Sequence, residues 1–248
     1  MKPRALILLA PGTNRHLDVA RALELAGSDS QVVPLARLRK KPRQLGEYQM
    51  LVVPGGFSYA DSLGAGRLLA LDLQTFFADE LQVFVASGKP VLGICNGFQA
   101  LVKSGVLPGN LKATLTFNEE GHFQCRWVRL RAASETCVWT RGLRLPIDCP
   151  VAHGEGNFRC TPETLKTLEE AGQVALFYAP GSAAVGGNPN GSLHNVAGIC
   201  NSGGTVLGLM PHPENHLFPY QHPLHTRREP GYSGLPLFQK GVEYAAQL

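Results

Sequence analysis

Gly93-Ile94-Cys95-Asn96-Gly97 follows the apolar run Pro90-Val91-Leu92. A short buried strand that stops at Gly-x-Cys-x-Gly and turns at once into a helix presents one side chain at a sharp corner. That is the geometry of a nucleophile elbow, with sulfur in place of a serine oxygen. The two glycines tolerate a tight backbone where a Cβ would clash. A helix that starts beside the sulfur aims free N–H groups and the positive end of its dipole at it, which favours thiolate. Cys95 is therefore a candidate nucleophile, and it needs a base and an oxyanion site. Open α/β sheets set reactive groups at the carboxyl ends of their strands, and two further strand ends carry suitable residues. Gly55-Gly56 follows Met50–Val53 and can turn backbone N–H groups into a cleft, as an oxyanion hole requires. Pro211-His212-Pro213-Glu214 follows Val206–Met210. His212 is a candidate base, and Glu214 can orient the imidazole and stabilise its charged form. Each piece alone has a plainer reading: an inert core cysteine, a tight turn, a loop histidine. Their joint occurrence at three strand ends is far more specific.

The elements that must hold these residues are readable in the first half of the chain. Ala5–Ala10 is an apolar run that leads into Pro11-Gly12-Thr13-Asn14. His16–Ala26 has helical spacing and stops at Gly27. Gln31–Leu35 and Met50–Val53 read as strands, Arg67–Ser87 as largely helical, Val91–Ile94 as a fourth strand, and Phe98–Lys103 as the start of another helix. Buried strands alternating with helices predict an open, mostly parallel sheet covered on both faces. The middle changes character. Phe123–Arg131, Val174–Tyr178 and Asn195–Cys200 read as added antiparallel strands, and Val206–Met210 returns to the core style. Gly181–Ser192 is a turn-dense loop. Asn215–Tyr232 reads as irregular, ahead of a last helix over Leu235–Ala246. No repeat or linker divides the chain, so one domain over residues 1–248 is expected.

Composition narrows the function class. The 248 residues are 44% hydrophobic and 17% charged, enough for a large core without disulfide or metal staples. Net charge is +4, and the only basic cluster, Arg37–Arg43, reads as a solvated connection rather than a nucleic-acid patch. The six cysteines (95, 125, 137, 149, 160 and 200) show no CxxC or zinc-finger spacing, so no metal is expected and free thiols are. MKPRALILLA reads as a first strand rather than a signal peptide, and no run approaches the length of a membrane span. A cytoplasmic protein with no nucleic-acid or membrane partner is expected.

The motifs together carry a resemblance. The chain resembles the class I, triad glutamine amidotransferases of flavodoxin-like α/β fold. More narrowly, it is similar to the family of glutaminase subunits of phosphoribosylformylglycinamidine synthase. The matching stretches are Pro11-Gly12-Thr13-Asn14, Pro54–Tyr59, Gly93–Gln99, Leu115–Asn118, Cys125–Val128, Ala152–Gly156, Asn188–Ser192 and Met210–Glu214. The cysteine and His-Pro-Glu motifs point to the superfamily, and CNGFQ, AHGEG and NPNGS together to this branch. The chain departs from the family's pattern at Arg15, at Ala60-Asp61 where Gly-Asp is usual, at Glu119-Glu120-Gly121, and in the His/Pro/Arg-rich tail.

The resemblance implies hydrolysis of L-glutamine through a Cys95 thioester, with Cys95, His212 and Glu214 as triad and Gly56 and Asn96 N–H groups as oxyanion hole. It implies that Gln99 and the segment around Asn118 and Phe123 meet the substrate, and that His153 and Glu155 lie at the site mouth or a partner interface. Ammonia would pass to a separate ATP-dependent synthetase subunit of purine biosynthesis, bridged by a small accessory subunit. No cofactor is expected in this chain, which lacks a Walker A sequence, so ATP and magnesium would bind the synthetase. Two alternatives stay open: a cysteine hydrolase or deglycase on the same scaffold, and a catalytically silent glutamine-binding regulator.

Overall fold

Strands of four apolar residues, such as MLVV and VLGI, point alternate side chains to opposite faces and can be stable only where both faces are covered. The computed structural model, which describes residues 2–181, 185–227 and 231–248, shows how that covering is made. Residues 182–184 of the expected loop and 228–230 of the expected tail lie outside the described residues. The first half runs β1 (Arg4–Leu9), α1 (His16–Ala26), β2 (Asp29–Pro34), α2 (Leu35–Lys40), β3 (Met50–Val53), α3 (Arg67–Phe76), α4 (Ala78–Ala86), β4 (Val91–Ile94) and α5 (Asn96–Lys103). The second half runs β5 (Ala113–Thr116), β6 (Gln124–Ala132), β7 (Ile147–His153), β8 (Asn157–Cys160), α6 (Pro162–Glu170), β9 (Val174–Ala179), β10 (Val196–Cys200), β11 (Val206–Leu209) and α7 (Leu235–Ala245).

Nine strands form one sheet in the order β2-β1-β3-β4-β11-β10-β9-β6-β7. The pairings from β2 through β11 are parallel and those from β11 to β7 antiparallel. The expected α/β architecture is present, and its parallel part has the strand order of a doubly wound sheet. β5 and β8 pair separately. Every residue of β3, β4 and β11 is buried, so both faces are covered there. α1 packs on α7 and α3 on α5. Close approach of helix to sheet explains two glycines. A Cβ on Gly208 would lie 2.0 Å from the Phe98 ring, and one on Gly97 would lie 1.9 Å from the Val53 carbonyl oxygen.

Several expectations change. The helical run Arg67–Ser87 breaks at Phe77, which leaves helical geometry (φ −136°) and buries its ring. The basic cluster contributes to a helix, α2, which buries Leu35 and Leu38 while its basic side chains stay at the surface. α6 and the strands β5, β7 and β8 have no counterpart in the sequence reading. The tail adds three single 3-10 turns, at Pro213–Asn215, Pro219–Gln221 and His225–Arg227. No helix among the described residues is long and apolar enough to cross a membrane.

Candidate active site

The elbow forms where β4 meets α5. Cys95 has φ 50° and ψ −105°, a conformation that a non-glycine residue adopts only at a cost of about 1–3 kcal/mol. The surroundings hold it there. Cys95 N–H donates to Leu209 O at 2.8 Å on neighbouring β11, and Gln99 N–H donates to Cys95 O at 3.0 Å to open the helix. A Cβ on Gly93 would lie 2.5 Å from Leu101 Cδ1 and 3.0 Å from the Gly97 backbone, so the turn closes only with glycine at 93.

β11 runs parallel to β4, so its carboxyl end brings residue 212 beside residue 95. His212 N–H donates to Pro150 O, which ties this turn to β7. His212 Nδ1 pairs with Glu214 Oε1 at 2.7 Å, which leaves Nε2 to serve the sulfur. Burial works against a charge on this ring, but the Glu214 carboxylate and the contacting Cys95 sulfur outweigh it, and the pKa rises to about 10. The ring is therefore poised as imidazolium beside the candidate nucleophile. Gly55 supplies the space between them: a Cβ there would lie 2.6 Å from His212 Cε1 and 3.4 Å from Cys95 Cβ. Cys95, His212 and Glu214 are 4%, 3% and 1% exposed, so the three lie behind a closed surface.

The loops after β1 and β3 cross at the neighbouring strand end. Phe57 N–H donates to Gly12 O and Tyr59 N–H to Pro11 O, and Gly56 sits at φ 143° against the backbone of Thr13 and Asn14. Asn96 fastens this loop to the elbow. Its Oδ1 accepts from Ser58 N–H at 3.1 Å, and its Nδ2 donates to Asp61 Oδ1 and Gln99 Oε1, both at 3.0 Å. Asn96 N–H is the first amide of α5 and so lies outside the helical ladder. The segment beyond Ser58 is strained, with Tyr59, Ala60, Asp61 and Leu63 all at positive φ. In the sequence Asp61 stands out only as part of the Ala60-Asp61 departure from the family's pattern, with no site role. Burial pushes its carboxyl up, and its role here is to anchor Asn96.

A second wall comes from β7 and the turn after it. Ala152 O lies 3.8 Å from Cys95 Sγ. Gln99 Nε2 donates to Glu155 O at 2.6 Å, so Gln99 links the elbow helix to this wall. Glu155 accepts from Ala65 N–H and pairs with Lys103 at 3.5 Å, which bolts the strained loop to the same turn. Asn118 is buried with its amide engaged by His122 O, His153 O, Gly156 N–H and His153 Nδ1. Asn190 and Ser192 brace the turn from behind through Gly156 O and Phe158 N–H. The AHGEG and NPNGS stretches are thus one packed unit. Phe123 is half exposed and stacks on Phe57 (centroids 6.4 Å apart, 28° between planes), at the outer edge of the Gly56 loop. Among the described residues, no three His, Cys, Asp or Glu side chains gather as metal ligands would.

A cysteine on a strained elbow and a buried His–Glu pair, side by side at the carboxyl edge of a parallel sheet, are the arrangement that a triad-type, cysteine-dependent hydrolase needs. Comparison with known proteins narrows this. The family model described as CobB/CobQ-like glutamine amidotransferase domain matches residues 2–245. Phosphoribosylformylglycinamidine synthase subunit PurQ of Treponema denticola is 48% identical over 98% of this chain and 99% of its own length. PurQ of Dehalococcoides mccartyi is 41% identical over all of this chain and 99% of its own. Among known structures, a chain of PurLQS from Thermotoga maritima superposes with a TM-score of 0.77 at 32% identity, covering 98% of this chain and 99% of its own. The chain belongs to the glutamine amidotransferase family, in its branch of phosphoribosylformylglycinamidine synthase PurQ subunits.

Proposed function

We propose that this chain hydrolyses L-glutamine to glutamate and ammonia as the glutaminase subunit of a phosphoribosylformylglycinamidine synthase, with Cys95, His212 and Glu214 as its triad. The observation that carries the assignment is the buried 2.7 Å His212–Glu214 pair facing a cysteine on a strained elbow. An amide is a poor electrophile, and the imidazolium of His212 is the natural counter-ion for a thiolate nucleophile. The Cys95 sulfur attacks the carboxamide carbon. The oxyanion is received by the Gly56 and Asn96 N–H groups, each worth on the order of 100- to 1000-fold in rate. His212 protonates the leaving nitrogen, and ammonia departs. His212 then activates the water that hydrolyses the thioester, while Glu214 keeps the ring aligned. Gln99, Asn118 and Phe123 surround the substrate space: the first two shape its walls, and Phe123 with Phe57 forms its rim.

Ammonia released into water is protonated and lost as a nucleophile. We therefore place a synthetase subunit, with its ATP and magnesium, against this chain, together with a small accessory subunit, all in the cytoplasm. The closed surface over Cys95 and His212 fits a glutaminase that opens when its partner is loaded, so the isolated chain is expected to be weakly active. Nothing in the site favours dicarbonyl chemistry. A silent regulator would have no need of a strained cysteine facing a charged histidine. Cys95→Ala tests the assignment. It abolishes glutamine-dependent synthesis by the complex and leaves ammonia-dependent synthesis intact. Glutamine-supported turnover in that variant would assign the nucleophile elsewhere.

A further inference from the structure

The mechanism above uses His212 and gives His153 no task. His153 closes β7, one residue after Ala152, whose carbonyl oxygen touches Cys95 Sγ. The ring is 3% exposed, and its tautomer follows from the backbone around it. Asn118 Nδ2 donates to two carbonyls, His122 O at 3.0 Å and His153 O at 2.8 Å, which fixes the nitrogen end of that amide. Asn118 Oδ1 therefore accepts, from Gly156 N–H and from His153 Nδ1, both at 3.0 Å. His153 Nδ1 must carry the hydrogen, and Nε2 is left as a lone pair on a neutral ring. That nitrogen is buried and has no hydrogen-bond partner among the described residues. A buried acceptor left unpaired costs about 1–3 kcal/mol, so gaining a donor at this nitrogen is favourable. Gly156 lets the ring sit where it does: a Cβ there would lie 2.2 Å from His153 Cε1 and 2.7 Å from Nε2.

Burial, and next the charge on His212, hold the His153 pKa down to about 3, so the ring stays neutral and lies close enough to His212 to feel its charge. A ring that resists protonation can accept a hydrogen bond from ammonia without ever supplying the proton that would turn it into ammonium.

Resting on the glutaminase reading, we propose that His153 Nε2 accepts the carboxamide N–H of bound glutamine and then holds the ammonia formed from it. In the step concerned, His212 Nε2 gives its proton to the nitrogen of the tetrahedral intermediate. The C–N bond breaks with its electron pair on nitrogen, the carbonyl reforms as the Cys95 thioester, and NH3 leaves neutral. His153 neither gains nor loses a proton. It orients the departing nitrogen and passes it on.

The test compares substrates with and without a leaving-group N–H, in the synthetase-bound complex. His153→Asn is the informative variant, because its amide nitrogen replaces Nδ1 as donor to Asn118 while no acceptor remains at the Nε2 position. We expect glutamine hydrolysis to fall about 10-fold or more, the rate equivalent of one hydrogen bond. Hydrolysis of glutamate γ-methyl ester, and alkylation of Cys95 by a glutamine-like diazoketone, should stay within about twofold of wild type, since neither has an N–H at that position. His153→Gln, which offers a carbonyl oxygen near the Nε2 position, should recover part of the glutamine activity. Equal losses on glutamine and ester would make His153 purely structural and overturn the proposal, as would unchanged glutamine hydrolysis in His153→Asn. A wild-type complex that neither hydrolyses glutamine nor takes the diazoketone would overturn the glutaminase reading itself, a separate and recognisable failure.

Discussion

Among the described residues, two buried histidine–carboxylate pairs lie near one another, and in one of them alone does the carboxylate meet its imidazole with no competing cation. Both carboxylates act on Cys149, whose thiol is pushed well up by burial, Glu214 and Asp148 together. In the first pair, Glu214 Oε1 meets His212 Nδ1 at 2.7 Å, and Oε2 has no partner among the described residues. In the second, Asp148 Oδ2 is 3.8 Å from His222 Nε2, and the carboxylate is already gripped by Arg129 through bonds of 2.7 and 2.8 Å and by Tyr232 N–H. His222 Nδ1 accepts the Leu224 N–H, so a ring hydrogen sits on Nε2. Trp127 packs edge-on against both His222 and His216. Residue types and burial match. What differs is whether a cation has already answered the carboxylate's charge. Glu214 turns its charge to an imidazole, as the proposed acid–base role requires. Asp148 spends it on a guanidinium and fastens the segment around His216, His222 and Tyr232 to β6 and β7.

Substitution of the carboxylates separates the two pairs most sharply. Glu214→Gln should lower glutamine turnover about 1000-fold or more with the fold intact, because the amide neither favours the charged ring nor enforces its tautomer. Steady-state kinetics of the complex measure this. Asp148→Asn should do the reverse, leaving turnover near wild type while stability in urea falls by about 3 kcal/mol, since Arg129 loses its buried counter-charge. A large turnover loss in Asp148→Asn would erase the distinction between the pairs.

Proton linkage sharpens it further. The folded pKa of His212 is raised to about 10. Its stabilising contribution is therefore fully present below the ordinary histidine value and fades as pH rises through about 10. His153, held down to about 3, has the opposite sign. Its unfolded form takes up a proton that the folded form refuses, so stability falls as pH drops from about 6.5 toward 3. Urea midpoints against pH should show the alkaline loss shrink in Glu214→Gln and the acid loss shrink in His153→Asn. The smallest effect belongs to the strained loop beside the first pair. Ala60 holds φ 56°, so Ala60→Gly should raise stability by about 1 kcal/mol in the same assay.

The placement of Cys95, His212 and Glu214 at neighbouring strand ends was legible in the sequence because each of these parts is local. The elbow glycines, the cysteine and His-x-Glu all sit within a few residues of a strand end, where a short motif dictates the backbone. The rest depends on partners far apart in sequence. Asp148 is matched to Arg129 across β6 and β7, and the His153 tautomer is set by Asn118, 35 residues away. β7 was hidden by Pro150 and by an aspartate at a core position, both tolerable because β7 is an edge strand with Arg129 opposite. α6 did carry a signal in Thr161-Pro162-Glu163, where Thr161 accepts from Thr164 N–H as an N-cap with proline in the first turn. The break at Phe77 left no mark in the apolar spacing, because its cause is a ring turned into the core.

The proposed chemistry requires that Cys95, though buried, be the one activated sulfur among six. Treating the complex with a glutamine-like diazoketone and locating the adduct by peptide mass spectrometry tests it most directly. One adduct is expected, on Cys95, competed away by glutamine, with the exposed Cys125 untouched. Labelling of Cys125 in its place, or no labelling of Cys95 at all, would contradict it.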